Sequence, residues 1–362
     1  MNHEKKLKQL ETLLNVSSLI NSSLDAYEIR MRTIEALTRL LDAEVGSLLL
    51  LDEETGDLFF EVATGDKGKT LKEIRLRKGE GIAGWVAEYG ESLIINDVRS
   101  DPRFFKKADK KSGFITRSIV CVPVFSKERI IGVLQGINKR NGDFSEDDLG
   151  LIKSLAVQVA IAVENAKLYS DLKETFYSTA EALAETIELR DPYTGGHTRR
   201  VMTYSMVIGR YMELEKDDLE NLRLSAILHD IGKIGVRDDV LLKHGRLDES
   251  ELKKMNKHPD FGSEVLGHIK QLKDVIPGVR GHHERYDGKG YPDQSSNGDI
   301  PLTARIIAVA DTFDAMTTDR PYRKGLSNQQ AFDEMRRCSG TQFDPDVVDA
   351  FFSAWNEGEF AT

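Results

Sequence analysis

Seven of the chain's eight histidines fall between positions 197 and 283. A lone histidine is most often a satisfied polar residue, but the local contexts here argue for chemistry. Leu228-His229-Asp230-Ile231-Gly232-Lys233 closes an apolar helical pattern over Leu222–Leu228. Adjacent imidazole and carboxylate let one cation bind the ring while the carboxylate reaches a second. Gly232 permits close backbone approach, and Lys233 adds a positive charge beside an anionic substrate. Lys257-His258-Pro259 follows, with a proline suited to a helix start. Gly281-His282-His283-Glu284 then precedes the glycine-rich Asp287-Gly288-Lys289-Gly290-Tyr291-Pro292, and Ala308-Val309-Ala310-Asp311 ends an apolar helical run on an acid. Nitrogen and carboxylate ligands without thiolate suit iron, manganese, nickel or zinc, and favour a multinuclear hydrolytic centre.

The elements that must position these groups follow from length and pattern. At 362 residues, two or three domains are expected. Hydrophobic residues make up 40% and charged residues 30%, as in a soluble globular protein. No apolar run of bilayer-spanning length is expected, and the N-terminus lacks the apolar core of a signal peptide, so the expectation is cytoplasmic, with no membrane. The net charge of −10 argues against a nucleic-acid polymer as partner. A small phosphorylated substrate stays open, because bound metals reverse the local field. The two cysteines, Cys121 and Cys338, read as free thiols of a reducing compartment, the alternative being a pair.

Residues 1–24 read as a helix carrying Leu7, Leu10, Leu13 and Leu14. Over residues 25–150 a helix, Tyr27–Leu41, leads into strand runs at Val45–Asp52, Leu58–Ala63, Ser92–Ile95, Ser118–Phe125 and Ile130–Ile137, an α+β sheet domain. Gly81-Ile-Ala-Gly-Trp-Val-Ala-Glu-Tyr-Gly90, Ile95-Asn-Asp-Val-Arg-Ser-Asp-Pro-Arg103, Ser118-Ile-Val-Cys-Val-Pro-Val124 and Gly132-Val-Leu-Gln-Gly-Ile-Asn-Lys139 occur in order. Together they resemble a GAF sensor domain, whose pocket takes a nucleotide or another small molecule, or is filled by side chains. Asn138-Lys139, Phe144 and Asp148 partly match a motif of cyclic-nucleotide-binding members, with Leu149 where a Glu is expected. A turn-stabilising polar cluster is the reading preferred for them.

From residue 148 to about 190 a proline-free helix is expected, some 60 Å long. Ile152, Leu155, Val159, Ala162, Ala166 and Tyr169 step by three and four, the spacing of a coiled-coil seam or of a face packed on the sheet domain. The length favours a parallel homodimer, through a linker helix over residues 151–182.

The histidine motifs from residue 183 to 362, in their order, resemble the HD-GYP family of phosphohydrolases: His229-Asp230-Ile-Gly-Lys233, His258-Pro259, His282-His283-Glu284 with Asp287-Gly-Lys-Gly-Tyr-Pro292, and Ala310-Asp311. Arg320-Pro-Tyr-Arg323 also fits. The resemblance implies an all-α domain that hydrolyses cyclic di-GMP, with pGpG or GMP as the end product. It implies that His229, Asp230 and Asp311 hold one metal and His258, His282 and His283 a second, with Asp230 bridging. The alternative activities are a catalytically silent cyclic di-GMP receptor and hydrolysis of another dinucleotide.

Further roles are implied residue by residue. Lys233 contacts substrate phosphate or protonates the leaving group. Arg320 and Arg323 bind the second phosphate or a guanine, or else form an ion pair with Asp314 or Asp319. Lys289 and Tyr291 are exposed handles for a GGDEF-type partner. Asp191-Pro-Tyr-Thr-Gly-Gly-His197 places His197 where some members carry an added ligand. Three-metal members have a Glu four residues earlier, where this chain has Tyr193, with Glu185 and Glu188 upstream. Two divalent ions are therefore expected, iron first, then manganese or nickel, with His197 a ligand or a hydrogen-bonded neighbour. His3, His244 and His268 lack such context.

Overall fold

A computed structural model describes the chain except residues 1–13, 16, 64–74, 105–108, 110–112, 191–194, 244, 320–323 and 361–362. The expected Leu7, Leu10 and Leu13, Tyr193, His244, Arg320 and Arg323 lie outside the described residues. The chain divides into two compact units, Met1–Lys173 and Glu174–Thr362.

The first unit is built on a six-stranded sheet of β1 (Ala43–Leu51), β2 (Leu58–Ala63), β3 (Arg75–Leu76), β4 (Leu93–Ile95), β5 (Ile119–Ser126) and β6 (Arg129–Lys139). Their order is β3-β2-β1-β6-β5-β4, and each neighbouring pair is antiparallel. Helix α1 (Ala26–Leu41) starts where Asp25 accepts the backbone N–H groups of Tyr27 and Glu28, at 2.9 and 3.1 Å. Helix α2 is Gly81–Tyr89 and α3 is Glu146–Arg190. Strand β5 reads as a continuous apolar run because both faces are covered. Val120, Val122 and Val124 face α1 and the first part of α3, while Ile119 and Cys121 face α2.

This packing corrects the expected dimer seam. Ile152, Leu155, Val159, Ala162 and Ala166 are buried in the sheet unit's own core, leaving Tyr169 exposed. Steps of three and four mark any one-sided helix, and here the partner is the chain's own sheet. The exposed apolar residues of α3 in this unit include Val157, Ile161, Leu168 and Leu172. Part of α3 is also long and apolar enough to cross a membrane by length and composition, where no such run was expected. Its buried residues sit where those of a core helix sit.

Asn138, Lys139, Phe144 and Asp148 form an intramolecular cluster. The Asn138 side chain accepts from the Arg117 backbone N–H at 2.7 Å and donates to Glu44 and to the Ile115 carbonyl. Lys139 pairs with Asp148 at 2.5 Å and lies over the buried Phe144 ring. The polar-cluster reading describes them. Cys121 and Cys338 are both free thiols.

The second unit is helical: α4 (His197–Tyr211), α5 (Lys216–Leu228), a 310 turn (Ile231–Gly235), α6 (Asp238–Leu241), α7 (Glu249–Met255), α8 (His258–Gly267), α9 (Ile276–Gly281), α10 (Leu302–Thr317), α11 (Asn328–Cys338) and α12 (Pro345–Asn356). Ile208, Leu222, Ile306, Val309, Phe313 and Phe351 form its main core. Tyr177, Ala180 and Ala184 of α3 pack with Ile227 and Val279 in a second cluster. Glu188, near the end of α3, accepts the backbone N–H groups of Gly196 and Thr198 and so fixes the start of α4. Helix α10 runs past Asp311 to Thr317, beyond the end expected at that acid.

Candidate metal centre

Each expected ligand sits at a helix boundary or on α10. His197 opens α4, His229 follows α5, and Asp230 leads the 310 turn that carries Lys233. His258 opens α8, His282 and His283 follow α9, and Asp311 lies on α10. Gly232 lets the turn pass against α8. A Cβ there would meet the His258 carbonyl oxygen at 1.8 Å and the Gly262 nitrogen at 2.4 Å, so no other residue fits without displacement.

Three histidines share one local device. The Nδ1 of His229 donates to the Ala226 carbonyl at 2.7 Å, that of His258 to Met255 at 2.9 Å, and that of His282 to Val279 at 2.6 Å. In each case the acceptor lies three residues earlier, in the turn preceding the histidine. A carbonyl can only accept, so Nδ1 carries the proton and Nε2 presents its lone pair. Among the described residues the buried Nε2 of His229 has no hydrogen-bond partner, and the Nε2 atoms of His258 and His282 face each other at 3.3 Å. Lone pairs so arranged fit a cation between them. Burial, above all, holds His258 and His282 below the usual imidazole range, and it pushes His283 down to about 3, so these rings stay neutral as ligands must.

Among the described residues two groups of ligand atoms result: His258, His282 and His283, and His197, His229 and Asp230. Asp230 stands between them. Its Oδ1 is 3.4 Å from His258 Nε2 and its Oδ2 is 3.5 Å from His229 Nε2. Asp311 Oδ1 lies 3.3 Å from His197 Nε2. Burial opposes ionisation of both acids, but the Lys233 ammonium outweighs it at Asp230, and His197 does so at Asp311, so both stay anionic. The residues present therefore fit hard or borderline divalent cations.

His197 belongs to this cluster. Its Nδ1 lies 2.7 Å from Asp314 Oδ2, and Arg200 donates to both oxygens of Asp314. Burial disfavours the imidazolium, yet Asp311 and Asp314 overcome it and push the His197 pKa up to about 10, so its Nε2 carries a proton toward Asp311 that a binding cation would displace. Asp314, which the sequence offers as an ion-pair partner of Arg320 or Arg323, is 2% exposed and holds His197 and Arg200, while both of those arginines lie outside the described residues. The available signal was its place three residues after Asp311, on the same helical face. Glu185 lines a separate cavity with Glu188, which is occupied in capping α4.

Lys233 Nζ pairs with Asp230 Oδ2 at 2.8 Å and lines a cavity of about 440 Å³ with His197, Asp230, His258, His283 and Asp311. Tyr291 lines it too, its ring 4.8 Å from that of His283. Tyr291 is thus a half-buried wall of the site and not the exposed handle expected of it, whereas Lys289 is exposed. The loop between them is drawn in because the buried Glu284 accepts the backbone N–H groups of Asp293 and Gln294. His268 is exposed and remote in role, at the end of α8.

Residues 181–347 match the family model of the HD domain, and residues 24–164 match that of the GAF domain. The chain is 33% identical over 217 residues to the 3'3'-cGAMP-specific phosphodiesterase 2 of Vibrio cholerae serotype O1, covering 59% of this chain and 42% of that protein. It is 38% identical over 198 residues to the cyclic di-GMP phosphodiesterase response regulator RpfG of Xanthomonas campestris, covering 53% of this chain and 52% of the relative. The chain thus spans about half the length of these relatives. Among solved structures, the GAF domain of an Acinetobacter phosphoenolpyruvate-protein phosphotransferase is similar at 24% identity and TM-score 0.40, covering 45% of this chain and 98% of the other.

Proposed function

We propose that this chain, which joins a GAF domain to an HD domain, hydrolyses cyclic di-GMP to pGpG in a metal-dependent reaction, with onward cleavage to GMP. The observation that carries this reading is Asp230, placed between the Nε2 atoms of His229 and His258, whose lone pairs turn inward. His229, Asp230, Asp311 and His197 would hold one divalent ion and His258, His282 and His283 the other, with Asp230 bridging. Bound there, the ions would supply an activated water and neutralise phosphate charge. Iron is the proposed native metal, with manganese or nickel as substitutes.

The protein's own groups do the rest. Lys233 lies against Asp230 on the cavity wall, within reach of a phosphate oxygen or of the departing ribose oxygen that needs a proton. Arg320 and Arg323 would take the second phosphate or a guanine. Tyr291 and His283 line one side of the cavity with their rings 4.8 Å apart. We further propose that the GAF domain regulates this site, that the chain acts in the cytoplasm as a parallel homodimer through α3, and that Lys289 is the handle for a GGDEF-type partner.

The test is product chromatography after anaerobically purified, iron- or manganese-loaded protein is incubated with cyclic di-GMP and, separately, with 3'3'-cGAMP. Cyclic di-GMP should give pGpG, and Asp230→Ala should abolish it. Tight binding of cyclic di-GMP without turnover by the loaded protein would refute the reading in favour of a receptor.

A further inference from the structure

Two divalent ions and a phosphate need no hydrocarbon around them, yet much of the cavity wall is hydrocarbon. Beside the ligands, the lining is supplied by α6, α7 and the segment joining them: Val240, Leu241, Leu247, Leu252 and Met255, with Asn256 following. Val240 and Leu241 are also the centre of a small core cluster, on which Leu247 and Met255 pack. That cluster does not account for Leu252, which is 46% exposed on a helix that buries no residue. A cleft in which apolar walls surround a few polar groups is how proteins hold flat organic rings.

The polar groups are suited to a base edge. Asn256 lines the cavity, and its side-chain amide makes no hydrogen bond found among the described residues. An asparagine amide offers both donor and acceptor, the pair that reads a purine edge bidentately. Lys243, also on the wall, is held by Glu251 at 2.7 and 2.5 Å, which fixes a cation at the rim.

We propose that this part of the cavity is the nucleobase pocket. One purine of a cyclic dinucleotide packs against Leu247, Leu252 and Met255, and Asn256 reads its edge, while the adjoining phosphodiester lies at the metal ligands. This rests on the cyclic dinucleotide reading of the site and names the residues that set its preference between purines.

The experiment compares two substrates on the full-length metal-loaded protein: cyclic di-GMP, and bis(p-nitrophenyl) phosphate, a phosphodiester without a base. Leu252→Ser and Asn256→Ala should each lower kcat/KM for cyclic di-GMP through KM, by at least tenfold more than for the base-free diester. Leu252→Met should restore it. A cyclic dinucleotide carrying an 8-azidopurine should, on illumination, label peptides within residues 238–257. Equal losses on both substrates, or label confined to other peptides, overturn the pocket while leaving cyclic di-GMP hydrolysis intact. A wild-type protein that cleaves the base-free diester but neither binds nor cleaves a cyclic dinucleotide overturns the underlying reading, and the pocket with it.

Discussion

The imidazole of His197 is held by Asp314, whose Oδ2 lies 2.7 Å from its Nδ1 while Arg200 donates to both oxygens of the same carboxylate. This fixes the ring so that Nε2 faces Asp311 and Asp230, at 3.3 and 4.0 Å. A carboxylate behind a ligand imidazole sets its tautomer and raises its basicity, and losing it typically costs about 10–100-fold in metal affinity. Asp314→Asn keeps the shape but weakens that hold. It should lower affinity for manganese by about tenfold or more in calorimetric titration. Affinity equal to wild type would show that His197 is not a ligand.

Close approach, not chemistry, explains Gly232. With the His258 carbonyl 1.8 Å from where a Cβ would stand, Gly232→Ala must push the 310 turn away from α8. Overpacking of this kind costs about 3 kcal/mol, or roughly 6–12 °C in the melting transition of a unit of this size. The same displacement separates Asp230 from His258, so metal content should fall as well. A variant that melts like wild type with full metal content would contradict the packing described here.

The site was legible in sequence because its ligands come in local motifs, and each motif folds as a helix boundary. His229-Asp230, His258 and His282-His283 could be picked out one segment at a time. What escaped was set by tertiary packing. Asp314 carried no motif of its own, and its role depends on α4 bringing His197 to α10. Tyr291 sat in a glycine-rich loop that reads as exposed, but Glu284 draws that loop against His283. Five of the six strands lie within two residues of the expected runs, because apolar and β-branched runs between turns are local signals, whereas the two-residue β3 carries no such run. The partner of α3 was not, since spacing gives a helix its apolar side without saying what lies against it.

The Lys139–Asp148 pair gives the sheet unit a defined acid sensitivity. Side chains of the two are 15% and 9% exposed. Burial works against the Asp148 carboxylate, but Lys139 and the backbone and hydroxyl of Ser145 hold its pKa below the ordinary value. A depressed carboxyl pKa stabilises the fold at every pH above the unfolded value, about 3.9, and this contribution fades as pH falls through the folded one. Asp148→Asn should therefore destabilise the unit by about 2 kcal/mol near neutrality, the scale of a hydrogen-bonded charge. The gap between variant and wild type in urea unfolding should stay constant from about pH 5 to 8 and close below about pH 4. A gap that persists at acid pH would assign the loss to shape and not to charge.

Helix α3 carries two apolar sides with different expected consequences. Ile152 and Leu155 are each 1% exposed against the sheet, whereas Val157, Ile161 and Leu168 are 57%, 45% and 59% exposed. A carboxylate at Ile152 would be buried without a partner and should unfold the sheet unit. On the outer side, Ile161→Asp combined with Leu168→Asp costs the folded monomer about 0.5 kcal/mol or less. If a second copy covers that side in a parallel pair, the same changes place like charges opposite each other across the interface. The double variant should then sediment as a monomer with an unchanged melting temperature, where the wild type sediments as a dimer. A double variant that stays dimeric would move the interface off this side of α3, and a monomeric wild type would remove the homodimer altogether.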